Sequence, residues 1–212
     1  VNDKQEPIPD VLFRSLNKGL DIYVTTKGLS YVFYEIKEEE NEKKENEEDG
    51  KESFIKKWSR MEMTLKGAGI NKEKIIAEDV AGQGPLNYFL GHCPQGITNV
   101  LTYKKITVQD IYPNIDWILY VNEKEGGIKY DFVVHPGGNP DDILINYQGA
   151  KIKQMDAYTL LFKTRNGELK DGPLHCYLSE SKTKINSSYV FSENDLSFST
   201  DDYDKTSTLV ID

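Results

Sequence analysis

Three histidines, two cysteines and a scatter of paired acids carry the chemistry that catalysis or metal binding would need in this 212-residue chain. His92, His135 and His175 are far apart in sequence, and each stands beside Pro, Gly or Cys in a turn-like stretch. That placement suits surface or turn histidines better than a metal triad, whose ligands usually recur at short fixed spacings. Cys93 and Cys176 form no Cys-x-x-Cys pair, so no zinc or redox motif is present. They are expected as unrelated thiols, with one disulfide as the alternative. A Gly-x-Ser-x-Gly elbow, a His-Glu-x-x-His helix and a phosphate loop are all missing from the sequence. No catalytic residue, metal or cofactor is therefore expected.

The acids divide into two kinds. Asp141–Asp142, Asp201–Asp202 and Asp204 lie among turn formers, where Asp ordinarily accepts bonds from local backbone N–H groups. A glycoside hydrolase would need two carboxylates opposed across a cleft, one with a raised pKa; this is kept as a minor reading. Asp116 and Asp131 differ, because each interrupts an aromatic strand pattern. Each is expected to hydrogen-bond a loop, and to require partners if buried.

Aromatic residues offer a second chemistry. Trp58, Tyr88, Trp117 and Tyr120 are candidates for a sugar-stacking platform, since rings stack on apolar sugar faces. The competing use is packing in the core and on sheet faces. Asn186-Ser187-Ser188 also matches an N-glycosylation acceptor.

The elements that would position these groups read almost entirely as strands. Thirteen Tyr, with Gly and Pro punctuating short apolar runs, favour sheet over helix. Leu20, Ile22 and Val24 share one face of a strand, and Thr26-Lys27-Gly28 supplies its turn. Tyr31 and Phe33 alternate with Val32 and Tyr34, which predicts a strand covered on both sides. Met61, Met63 and Leu65 face inward together, as do Ile128, Tyr130, Phe132 and Val134. Residues 71–80 are the one stretch that could form a short helix. Residues 37–52, without an apolar side chain, predict a mobile acidic loop, with calcium binding as its alternative. Pro113, Asp116, Gly126, Gly127, Asp131, Pro136 and Gly137 are assigned to corners and turns around two aromatic strands. The rhythm predicts an all-β antiparallel sandwich of about a dozen short strands. It is read as a single module over 1–212, with a division into two stacked half-domains near 85–100 as the alternative.

The net charge of −9 argues against a nucleic-acid partner or docking on anionic lipid. No apolar run is long enough for a helical membrane span. The chain begins at Val1 with no visible signal peptide, and is read as a trimmed or mature segment.

In order along the chain stand Asn87–Gly91, the Tyr112-Pro113-Asn114-Ile115-Asp116 corner, Ile128–Phe132, Pro136–Pro140 and Tyr203–Asp212. Together these resemble an N-terminal domain of unknown function in large exported bacterial surface proteins. Those proteins carry propeller-like β repeats and, in Bacteroidota, gliding-motility-associated or type IX secretion sorting domains. The likeness covers about Val11 to Asp212. It departs at Gly91-His92-Cys93-Pro94 and at Ile97, near which the family has a Trp. The resemblance implies an extracellular, non-enzymatic module with structural or adhesive work. Its partners would be downstream repeats of the same chain, a surface polysaccharide or another surface protein. A carbohydrate-binding module using exposed Tyr and Trp is the alternative.

Overall fold

The computed structural model describes residues 8–38, 54–80, 84–90, 93–121 and 127–212. Its strands are β1 Val11–Asn17, β2 Leu20–Thr25, β3 Gly28–Glu38, β4 Phe54–Leu65, β5 Ile75–Val80, β6 Leu86–Leu90 and β7 Cys93–Val100. There follow β8 Tyr103–Tyr112, β9 Ile115–Val121, β10 Ile128–Val134, β11 Ile145–Gln148, β12 Lys151–Asp156 and β13 Thr159–Lys163. The last are β14 Glu168–Asp171, β15 Cys176–Leu178, β16 Lys184–Ile185, β17 Ser187–Ser192, β18 Asp195–Thr200 and β19 Leu209–Ile211. The fold is all-β and its strand pairs are antiparallel, as the sequence pattern predicts.

One seven-stranded sheet runs β1-β2-β3-β4-β11-β18-β17, and a second runs β16-β15-β19-β10-β9-β8-β5. A three-stranded sheet, β12-β13-β14, and the β6–β7 hairpin complete the sheets. The two large sheets share one continuous core. Phe132 of the second sheet meets Phe198 of the first at 5.9 Å between ring centres. Tyr147 of the first meets Phe162 of the three-stranded sheet at 4.5 Å.

Period-two alternation makes this core. Met61, Met63 and Leu65 point inward from β4, and Ile115, Trp117 and Leu119 from β9, all essentially without solvent contact. Each such side chain contributes about 1.5–3 kcal/mol through removal of apolar surface from water. The three-stranded sheet is locked to the first sheet beside Phe33. A Cβ on Gly167 would lie 2.5 Å from the Phe33 ring, and Ser59 Oγ donates to Thr164 Oγ1 at 2.9 Å. The Thr164–Gly167 turn joins β13 to β14, where the Asn-Gly signal places a hairpin.

Three expectations need correction. Residues 71–80 are not one helix. Asn71 caps a single 3-10 turn, Lys72–Lys74, and Ile75–Val80 is a strand paired with β8. The β-branched Ile75, Ile76 and Val80 find a long-range partner there, which overrides the helix-forming Lys and Glu before them. Tyr31 and Phe33 are buried, but Val32 and Tyr34 on the opposite face are only half-buried, so β3 is covered on one side. Finally, β3 continues through Lys37 to Glu38, past the predicted start of the acidic loop. The rest of that stretch, 39–52, lies outside the described residues.

Register defines a projecting ribbon. Strand β2 follows β3 only as far as the pair Leu20–Phe33, and β11 follows β4 only from Glu62 to Leu65. Beyond them β3 and β4 pair with each other alone, from Glu35–Lys57 to Glu38–Phe54. Among the described residues both outer edges of that segment carry no neighbouring strand.

Candidate functional site

Of the two acids inside the aromatic strands, Asp116 is part of a corner, whereas Asp131, expected at a turn and bonded to a loop, lies within β10 and bonds a side chain of β9. At the β8–β9 corner, Asp110 and Asn114 adopt positive φ of 49° and 57°. Asp116 holds the corner closed. Its Oδ1 accepts the Asp110 N–H at 2.9 Å, and its Oδ2 lies 3.0 Å from His135 Nε2. The His135 N–H donates to the Asn114 carbonyl at 2.9 Å, tying the turn after β10 to the same corner. A Cβ on Gly138 would sit 2.7 Å from the Asn114 oxygen, so the two turns approach closely only over a glycine. Pro113 and Pro136 are exposed on this surface, and Gly137 has φ +88°. Gly127 also has positive φ, +92°, at the start of β10, while Gly126 lies outside the described residues. Asp116 and His135 thus do architectural work.

Asp131 lies on the outward face of β10. The Tyr120 hydroxyl of β9 donates to its Oδ1 at 2.9 Å. Partial burial pushes the Asp131 carboxyl up to about 6; the Tyr120 bond lowers it and the charge of Asp212 raises it. Burial likewise raises the Tyr120 hydroxyl, and the Asp131 acceptor adds to the effect.

A third constellation is internal. Asp171 ends β14 beneath the two large sheets. Its Oδ2 accepts from the Tyr130 hydroxyl at 2.9 Å and its Oδ1 from the Tyr189 hydroxyl at 3.4 Å. The Tyr147 hydroxyl lies 3.5 Å from that of Tyr130. Burial holds the Asp171 carboxyl above the usual carboxylate range, opposed by the bonds from Tyr130, Tyr189 and the Gly172 N–H. It raises Tyr31, Tyr130 and Tyr147 as well. Beside the carboxylate is a cavity of about 100 Å³ whose walls include Tyr31, Tyr130, Tyr147 and Phe162.

The four aromatic candidates are not brought together. Trp117 is wholly buried between the sheets and presents no face to a sugar, which corrects its assignment to a binding platform. Its place beside Ile115 and Leu119 on the inward side of β9 explains this. Tyr120 is half-buried and engaged with Asp131, and Tyr88 is half-buried on β6. Trp58 is the one that is open, 61% exposed at the foot of the projecting ribbon. It pairs across the strands with Tyr34, over whose ring Lys56 Nζ sits at 4.2 Å. Ile36 and Ile55 on the same ribbon are 60% and 42% exposed. The sequence analysis did not single out these two isoleucines; they stand next to the charged run, a position that already favours solvent exposure.

The turn acids serve their own loops. Asn139 caps the 3-10 turn that holds Asp141 and Asp142, and Asp201 accepts from Asn186. Asp204 Oδ1 accepts both the N–H and the hydroxyl of Thr206. Among the described residues no three His, Cys, Asp or Glu side chains gather to hold a metal ion. Cys176 is a buried free thiol, pushed up to about 11 by that burial. The Asp171 cluster escaped the sequence analysis, because its members come from β3, β10, β11, β14 and β17 with no local spacing to connect them.

No curated protein and no solved structure matches this chain. One family model does, described as Domain of unknown function (DUF7948), over residues 1–212.

Proposed function

We propose that this chain, which belongs to the DUF7948 family, is a non-enzymatic docking module that takes an extended segment of another protein along the β3–β4 ribbon. One observation carries the reading. Among the described residues the ribbon leaves strand edges unpaired, and it and its foot present Ile36, Ile55 and Trp58 to solvent. An unpaired edge is a template for a further strand, and the adjoining side chains supply affinity and specificity. Edge lysines such as Lys56 and Lys57 are a usual way to blunt such an edge; an exposed Trp and two exposed Ile beside them are what favours use as a docking surface. The β4 edge also carries Lys56, Lys57 and Arg60, which favours a partner segment bearing acids. A protein partner fits better than a glycan. Among the described residues the strongly exposed aromatics, Trp58 on β4, Phe89 on β6 and Tyr158 in the β12–β13 turn, lie at three separate places in the sequence and fold, whereas a glycan platform needs a row. The resemblance of the Tyr112–Pro140 region supports placing the module in an exported bacterial surface protein, where neighbouring repeats or other surface proteins are the available partners.

The test is a photo-crosslinking side chain at position 57 in the full protein on its own cells. The expected result is a crosslink to a polypeptide, abolished by Trp58→Ala. A crosslink that is indifferent to Trp58→Ala overturns the docking site. Retardation by a polysaccharide that depends on Trp58 moves the function to carbohydrate binding.

A further inference from the structure

The Asp171 cavity has a chemistry that the docking ribbon does not use. Buried carboxylates are ordinarily paired with a cation or a metal, because an isolated charge in a low-dielectric interior is costly. Asp171 is satisfied by hydroxyl and amide donors, yet among the described residues no Lys or Arg forms an ion pair with it. Lys170, its neighbour on β14, also lines the cavity, but its side chain is exposed and makes no ion pair with Asp171. The half-buried Asp171 carboxyl is therefore hydrogen-bonded without an ion-pair partner among the described residues, and burial holds it above the usual carboxylate range. The space beside it is bounded by aromatic rings: Tyr31 from β3, Tyr130 from β10, Tyr147 from β11 and Phe162 from β13. Half-buried Leu20, Ile128 and Leu169, with Ile22, Gly127 and Lys170, complete the wall.

A carboxylate at the end of a ring-lined cavity is the arrangement that recognises an organic cation. The carboxylate meets the charge, and ring faces attract both the charge and its methyl or methylene groups. Size narrows the class. The cavity is about 100 Å³, against roughly 300–1,000 Å³ for sites that hold drug-sized molecules. A sugar chain or a nucleotide does not fit; a small amine or the tip of a lysine side chain does.

We propose that the cavity formed by Asp171, Tyr31, Tyr130, Tyr147 and Phe162 is a binding site for an alkylammonium group. The group arrives either as a free small amine or as a lysine side chain of a partner.

The test uses the folded domain titrated at constant ionic strength with methylammonium, with trimethylammonium and with a short lysine peptide blocked at both ends. Potassium chloride is the control, and ring-proton NMR shifts of the tyrosines give the readout. The proposal expects saturable shifts at Tyr130 and Tyr147 with at least one amine and none with potassium. Binding by the small amines places the source in solution; binding by the peptide alone places it on a partner protein. Asp171→Asn, which keeps an acceptor for the tyrosine hydroxyls, should weaken binding at least about tenfold. Should that variant not fold, Leu20→Trp, which fills the cavity from its half-exposed wall, should abolish the shifts while the domain stays folded. No saturable shift with any amine overturns the proposal, as do equal effects of potassium or unchanged binding in Leu20→Trp.

Discussion

Replacing Asp131 with Asn should remove a pH dependence whose sign and size follow from the site. In the folded protein the Asp131 carboxyl is held up at about 6 against an ordinary 3.8. Below pH 3.8 the folded and unfolded chains both hold the proton, and burial costs nothing in charge. As pH rises from 3.8 to 6 the unfolded chain releases its proton first, so the unfolded state gains and stability falls. Above 6 both forms are ionised and the loss is complete. At about 1.4 kcal/mol per pH unit the full shift corresponds to about 3 kcal/mol, which screening at this half-exposed position reduces to roughly 1 kcal/mol. The groups facing Asp131 include the Tyr120 and Tyr177 hydroxyls, the Asp212 charge and Lys129; burial is the largest cause of its shift. Asn at 131 accepts the same Tyr120 hydroxyl without titrating. The assay is urea denaturation of both proteins at pH 4, 5, 6 and 7. Relative to Asp131→Asn, the parent should lose about 1 kcal/mol between pH 4 and 7. The raised Asp171 and the lowered Asp195 and Asp204 occur in both proteins and cancel in the difference. A difference that stays flat, or that grows in favour of the parent as pH rises, would refute the assignment of burial as the dominant cause.

Other substitutions separate architecture from surface. Trp117→Ala should destabilise the domain by about 3–5 kcal/mol, read as a lower denaturation midpoint, because the ring is wholly enclosed. Gly149→Ala should cost roughly 1–3 kcal/mol by the same measure, since φ is +86° and the new Cβ would meet the Arg60 carbonyl at 2.2 Å. Trp58→Ala should leave the midpoint within about 0.5 kcal/mol of the parent, as expected where the side chain is mostly in water; a larger drop would mean that the ribbon packs against the body of the domain.

The sandwich was legible because its strands are half-buried. Alternation in β4 and β10 needs no partner to be recognised, and Pro113, Gly127 and Gly137 lie at corners or turns that local backbone rules anticipate. Trp117 was legible in principle as well: it shares parity with Ile115 and Leu119, and that pattern outweighs its appeal as a stacking surface. What stayed hidden is non-local. Strand β5 exists because β8 lies alongside it, and the ribbon stays a strand through Lys37 because β4 pairs with it residue by residue. The Asp171 cavity needs six strands to close around one carboxylate, and no window of sequence holds more than a piece of it.

Hydrogen exchange across the domain, alone and with the polypeptide captured from position 57, tests the central claim most directly. The docking account predicts slowed amide exchange in residues 54–58, where β4 gains a neighbour, with little change at β9 and β10. Protection that leaves 54–58 untouched and falls elsewhere, for instance on β6, would contradict it.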